Sequence, residues 1–360
     1  MSRQSCITHY FLLLTAFLFL CSCTPQLSQS PPQTQTTLLV YRLSPPAFVE
    51  FSKNYQVIRE FPFSPPPNCG LLNLFSPLMG KSIAIELSCP NGQTVLFLDS
   101  DTDAVTQPVA DSDSHFLAWS ADGKAVYLKV DLMGNPHIAR VETGGKNETM
   151  PISEFSYDLS ANPQSGDFTF TFSRGLGQGS ELWFAKQNGR TTKQLYVDPS
   201  NYISFAHFSP DGSQIAFIKI PDTQTPFTVG ELWVMNADGS EARKLADADA
   251  GHGYAANWSP DGKRIAFVAR ENSRDTRADQ SSDALISNIY IVDVASRTVT
   301  QVSHVENGRA ETPVWSPDGN TLAFNVVIND RMQVRIAEIS TGKIQSLMAE
   351  STCCAAWIRK

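Results

Sequence analysis

The phrases FSPDGSQIAF, WSPDGKRIAF and WSPDGNTLAF occur in one chain, with their serines at 209, 259 and 316. In Ser-Pro-Asp-Gly, Pro presets φ at the first corner, Asp tolerates the second, and Gly takes the left-handed position that closes a tight turn with a bulge. An aromatic precedes each turn (Phe208, Trp258, Trp315). An apolar strand follows each: Ile215-Ala216-Phe217, Ile265-Ala266-Phe267 and Leu322-Ala323-Phe324. Each copy therefore reads as a β-hairpin.

Weaker copies stand at AWSADGKAVYL, DLSANPQSGDFTF and LFSPLMGKSIAI, so the turn serines fall at 76, 120, 160, 209, 259 and 316, in steps of 40 to 57 residues. A third strand follows the hairpin (GELWVMNADGS, SNIYIVDVASR, SELWFAKQNGR, QTVLFLDSDTD). A fourth comes after another turn (EARKLA, TVTQVS, TTKQLYV, AVTQPV). Four short antiparallel strands in a repeat of this length are the pattern of a β-propeller blade, whose faces are buried only against neighbouring blades.

The two ends complete the count. Strand-like segments at Leu38–Leu43, Phe48–Ser52 and Gln56–Phe61 lack a first strand, whereas the terminal CCAAWIRK resembles the start of a repeat with nothing after it. Joining them makes a hybrid blade and leaves no free edge. The expected fold is all-β: a seven-bladed propeller over residues 37–360, or six-bladed if the copy at Ser160 or the N-terminal segment is not a blade of its own.

The first residues read differently. MSRQSCITHYFLLLTAFLFLCSC has Arg3, then an apolar core from Tyr10 to Leu20 that is short for a membrane span but suits an export signal. Leu20-Cys21-Ser22-Cys23 resembles a bacterial lipobox, which predicts a lipoprotein signal peptide over 1–22 and acylation of Cys23. The following Pro/Gln/Ser/Thr tract, residues 23–36, reads as a flexible tether. The expected location is the bacterial envelope, lipid-anchored, facing periplasm or exterior. An oxidising compartment permits disulfides. Cys69 and Cys89 lie ten residues on either side of a turn near residue 79, so they should face each other across an antiparallel pair and form a disulfide. Cys353 and Cys354 are expected as buried thiols on opposite faces of one strand.

The run FSPDGSQIAFI…GELWVMNADGSEARKL resembles the repeat of TolB-like propellers, a WD-type repeat with S-P-D-G and N-A-D-G-S turns. The likeness is most specific around Ser209, Ser259 and Ser316. It implies an envelope propeller that binds other proteins. TolB itself has a preceding α/β domain, no acyl anchor and six blades, so its particular role is not implied here. The same repeat also occurs in propellers attached to serine peptidases and in some sugar lyases.

Chemical signatures are few. The sequence contains no Gly-x-Ser-x-Gly elbow, His-Glu-x-x-His or P-loop. Asp99–Asp103 imitates the start of an EF-hand loop without its central Gly or terminal Glu. No cofactor or metal is expected. The net charge of −8, with no basic stripe, argues against nucleic acid. A monomer is expected.

Propeller geometry places the links between blades, and those between strands two and three, on one face, opposite the S-P-D-G turns. That face collects Arg270–Leu285, Ile220–Val229 and the glycine-rich SRGLGQGS. It also collects His252, Tyr254, His304, Arg309 and Glu311. Five residues before each turn serine stand Leu71, His115, Phe155, Ser204, Tyr254 and Glu311, with Cys353 corresponding in the hybrid blade; this ring is expected at the channel mouth. The candidate contact residues are His115, His252, Tyr254, His304, Arg309 and Glu311. The leading reading is a non-catalytic scaffold that binds an envelope protein or glycan. The alternative is a polysaccharide lyase or hydrolase acting at the channel mouth.

Overall fold

A computed structural model describes residues 36–109, 113–132, 134–249 and 256–359. Among these, strand pairing gives five four-stranded antiparallel sheets and one eight-stranded sheet. The eight-stranded sheet is two antiparallel groups held together by a single parallel bridge, Ser287 to Arg309. Counts of six and seven part at this bridge: six sheets by connectivity, seven hairpin-built units by antiparallel pairing. We number the units along the chain. Unit I combines residues 352–359 with 36–62. Units II to VII span 70–106, 113–149, 156–198, 201–249, 257–301 and 309–346.

Unit I is the hybrid. The last strand, Thr352–Arg359, pairs antiparallel with the first, Thr36–Leu43, in the register Leu38 to Trp357 and Leu39 to Ala356. The apolar core is divided into clusters, each shared by two consecutive units. Leu39 and Phe48 of unit I meet Leu74 and Ile85 of unit II, and the series continues unit by unit to the seam where Ala323 and Val334 of unit VII meet Leu38 and Trp357 of unit I. The ring is closed by packing as well as by hydrogen bonds.

The repeated motif accounts for this arrangement atom by atom. The Ser209 hydroxyl donates to Asp211 (2.6 Å) and accepts from the Gln214 N–H (3.0 Å), while the Gly212 N–H donates to the Ser209 carbonyl (2.8 Å). The same bonds recur around Ser259 and Ser316. Gly212 has φ +71°, where a side chain would be strained. The phenylalanines at the fourth position of the next strand, Phe217, Phe267 and Phe324, are fully buried, each contributing about 1.5–3 kcal/mol. The tryptophans stitch units together. Trp258, Trp315 and Trp357 donate their indole N–H to the carbonyls of His207, Asn257 and Val314, each on the preceding unit's first strand.

First strands also share a bulge. Register shifts follow Leu71, Phe116, Ser156, Ser204 and Glu311. Phe205, Thr312 and Cys354 occupy the left-handed region with φ of 56°, 49° and 55°. The freed backbone donors are taken up by the preceding unit: Phe116 N–H by Glu86 (3.0 Å), Phe205 N–H by Asp158 (2.6 Å) and Cys354 N–H by Asn325 (3.1 Å). The bulge corrects one expectation. Strict alternation would turn Cys353 and Cys354 to opposite faces, but both thiols point to unit II, towards the carbonyls of Leu71 (3.9 Å) and Leu72 (3.2 Å).

Candidate functional site: a hydrogen-bonded rim over units IV to VII

The segments joining second to third strands are irregular for readable reasons. Residues 173–179 contain Gly175, Gly177 and Gly179, all at positive φ. Residues 222–228 follow Pro221 and contain Pro226. Residues 271–286 are rich in polar and charged side chains and form one 3-10 turn, Ser282–Ala284, whose cap Ser281 accepts from the Asp283 N–H.

These loops are bonded to one another. Asp222 of unit V accepts from the N–H groups of Gly177 (2.9 Å) and Gly179 (2.8 Å) of unit IV. The Phe227 N–H donates to the Asp279 carbonyl (3.2 Å), tying unit V to unit VI. Arg270 works from beneath. Its side chain is wholly buried and bonds the Asp279 carboxylate (2.9 Å) and the carbonyls of Asp275 (3.1 Å) and Phe227 (3.4 Å). Arg309 of unit VII then donates to the Ser282 carbonyl (2.8 Å) and to Glu311 (2.8 Å). One seam therefore runs across four units on the face carrying the blade links.

The opposite face carries the S-P-D-G turns, which meet one another: Asn162 donates to the Gly212 carbonyl (3.0 Å), and Arg264 to that of Gly319 (3.2 Å). Ion pairs lie on the rim. Arg277 holds the half-buried Asp275 carboxyl down at about 2, and Arg309 is paired with the buried Glu311.

No family model matches the chain, and no curated protein matches it in sequence. Solved structures are similar in backbone. TolB from Acinetobacter baumannii is 17% identical with a TM-score of 0.53, over 88% of this chain and 79% of that one. An oligogalacturonate lyase from Vibrio parahaemolyticus is 14% identical with a TM-score of 0.54, over 87% and 86%. The chain has a TolB-like β-propeller fold. A prolyl endopeptidase is 11% identical with a TM-score of 0.58, but 90% of this chain spans only 49% of its length. At these identities the likeness is one of fold alone.

On that fold the residues singled out in the sequence fall in different places. Arg309 and Glu311 come together at the seam. His115 is on unit III, where its Nε2 lies 3.3 Å from Asp113 and its strand partner is Lys129. His304 is exposed in the link from unit VI to unit VII. Cys69 and Cys89 are joined, sulfur to sulfur at 2.04 Å. Cys23, the 1–22 signal segment, His252 and Tyr254 lie outside the described residues. Of the expected mouth ring, Phe155 is 60% exposed, whereas Glu311 and Cys353 are 5% and 3% exposed.

Among the described residues, no three or more His, Cys, Asp or Glu side chains are grouped to hold a metal ion, and no helix is long and apolar enough to cross a membrane. Asp222 and Asp279 were missing from the sequence reading. Asp222 takes its meaning from glycines about one repeat earlier, and a single sequence does not pair them.

Proposed function

We propose that this protein is a lipid-anchored envelope lipoprotein whose propeller binds a protein or glycan through the rim of units IV to VII. The observation that carries the reading is the seam itself. Asp222, Asp279, Arg270 and Arg309 fix three irregular segments in one arrangement across four units, so a partner need not bear the cost of ordering them. Rigid sheets beneath variable loops suit recognition.

Two experiments test it. Replacing Cys23 by Ser should move the protein from the membrane to the soluble fraction. For docking, the acylated protein is used to capture partners from native envelopes beside a variant with residues 271–286 shortened. The reading requires a partner that the shortened variant loses while its melting temperature stays near that of the parent. Equal capture by both would remove the rim as the recognition element.

The enzymatic alternative requires acid–base groups converging at one place. His115 stands on a different unit from the Arg309–Glu311 pair, and that pair is mutually engaged. Unsaturated or hydrolysed product from a polysaccharide incubated with the purified protein would reinstate it.

A further inference from the structure

On unit VII, Arg331, Gln333, Arg335 and Ala337 alternate onto one face of their strand. Ala337 belongs to the apolar cluster shared with unit VI, as do Phe324 and Val326 of the adjacent strand, and Ile328 packs against it. Where this cluster gives out, a cavity of about 340 Å³ opens, lined by Val326, Ile328, Asn329, Arg331, Gln333 and Arg335.

Its arginines are unlike the others that bear on the rim. Arg270 also has a buried Nε without an acceptor, but its terminal nitrogens bond Asp279 and two carbonyls. The Arg335 side chain has a buried Nε with no acceptor and, among the described residues, makes no hydrogen bond or ion pair. Arg331 and Gln333 both donate to the Ala349 carbonyl, which fixes their direction, and among the described residues no carboxylate pairs with Arg331. An arginine that merely covers apolar surface keeps its charged head in water. Here one donor of the charged group is withdrawn from solvent and left unmet, which costs stability, while the same side chain lines the cavity. The chain carries 36 acidic against 28 basic residues, so an acidic partner was available in composition and is not placed here.

We propose that this cavity is a carboxylate-binding site. The two terminal nitrogens of the Arg335 guanidinium supply parallel donors that match a carboxylate. Arg331 adds a second positive charge. Val326 and Ile328 form an apolar floor, and the amides of Asn329 and Gln333 meet polar substituents. The volume suits one carboxylate on a body of monosaccharide size. The site lies apart from the seam of Asp222, Asp279 and Arg309, and the docking reading does not depend on it.

The test is calorimetric titration of the purified protein with D-glucuronate, cyclohexanecarboxylate, D-glucose and inorganic phosphate. Saturable binding of glucuronate or cyclohexanecarboxylate, and none of glucose, is expected; the better of the two identifies a hydroxylated or an apolar body. Arg335→Gln should weaken the preferred ligand by about tenfold or more and Arg335→Lys by less, because lysine keeps charge without the planar fork. Arg190→Gln, on unit IV, should leave it unchanged. In the unsubstituted protein, the NMR resonance of the Arg335 Nε–H should shift on adding the ligand, which keeps the test valid if a variant fails to fold. Absence of binding by both carboxylates, phosphate binding more tightly than either, or an unmoved Arg335 resonance would overturn the assignment.

Discussion

The indole N–H of Trp258 donates to the backbone carbonyl of His207, 3.1 Å away on the first strand of the preceding unit. First strands form the inner margin of each sheet, with no further strand to satisfy their outer polar groups. A tryptophan from the next unit supplies a donor there, and it does so at several seams. The tryptophan before the S-P-D-G turns at Ser259 and Ser316, like Trp357 of the hybrid unit, is therefore an inter-unit fastener.

Trp258→Phe keeps a ring and removes this donor. It should lower unfolding free energy by about 1–3 kcal/mol, the cost of a partly buried carbonyl left unmet. Trp233→Phe, whose indole bonds the same-strand Glu231 (2.8 Å), should cost under about 1 kcal/mol because that carboxylate reaches water. Urea unfolding curves of the two variants make the comparison.

The turn glycines should rank by what surrounds them. Gly262 (φ +68°) has open space, its nearest neighbour being Pro210 at 3.7 Å from an added Cβ. Gly262→Ala should cost about 1–2 kcal/mol from backbone conformation alone. An added Cβ at Gly212 would come within 2.4 Å of the Asn162 side chain, and one at Gly123 within 1.6 Å of the Met79 carbonyl. Melting temperatures should fall in the order Gly262→Ala, Gly212→Ala, Gly123→Ala, the last being lowest because backbone must move.

Two titrating groups on adjacent first strands oppose each other in pH dependence. Both residues keep some accessible surface, but their titrating groups are enclosed by protein. Burial pushes the Asp158 carboxyl up to about 7, with the Phe205 N–H acting against it, and pushes the His207 imidazole down to about 4. Unfolded values are about 3.9 and 6.5. Between pH 4 and 6.5 the native state holds a proton on Asp158 that the unfolded state lacks, so this term weakens the fold as pH rises. Over the same window the unfolded state holds a proton on His207 that the native state lacks, so that term strengthens it. Each slope is at most about 1.4 kcal/mol per pH unit. Relative to the parent, Asp158→Asn should gain stability with rising pH up to about 7, and His207→Gln should gain as pH falls below about 6.5. Chemical denaturation at pH 4.5 and 6.5 tests both signs.

Lys219 is held between the Trp233 ring (3.8 Å) and Tyr196, with its ammonium 2.9 Å from Asp198 and both side chains 9% exposed. Removing one charge should strand the other. Lys219→Met is expected to cost about 3 kcal/mol, and adding Asp198→Leu should recover part of it. A double-mutant cycle measures the coupling.

Much of this fold was legible because its turns are chemically specific. Ser209, Asp211 and Gly212 each have one geometric task, so their recurrence marks the hairpins, and CCAAWIRK could be matched to the strands lacking a first member. The bulge was not legible. Phe205, Thr312 and Cys354 are ordinary residues for a strand, and the backbone donors of Phe205 and Cys354 are held by acceptors from the preceding unit. That is why the orientation of Cys354 came out differently. The rim loops could be named from composition, but their mutual bonds depend on Asp222, Arg270 and Asp279 reaching segments that are distant in sequence. Arg335 was overlooked for a related reason, since RMQVR alternates as any half-exposed strand does.

The central claim is that the irregular segments form one rim already fixed in the unbound protein. Amide hydrogen exchange at Gly177, Gly179 and Phe227 tests it most directly, because these N–H groups bond across unit boundaries rather than within a sheet. The account predicts exchange slowed by about a hundredfold or more relative to an unstructured chain, lost at Gly177 and Gly179 in Asp222→Ala while strand amides stay protected. Exchange at these three amides as fast as in an unstructured peptide, with the strands still protected, would contradict it.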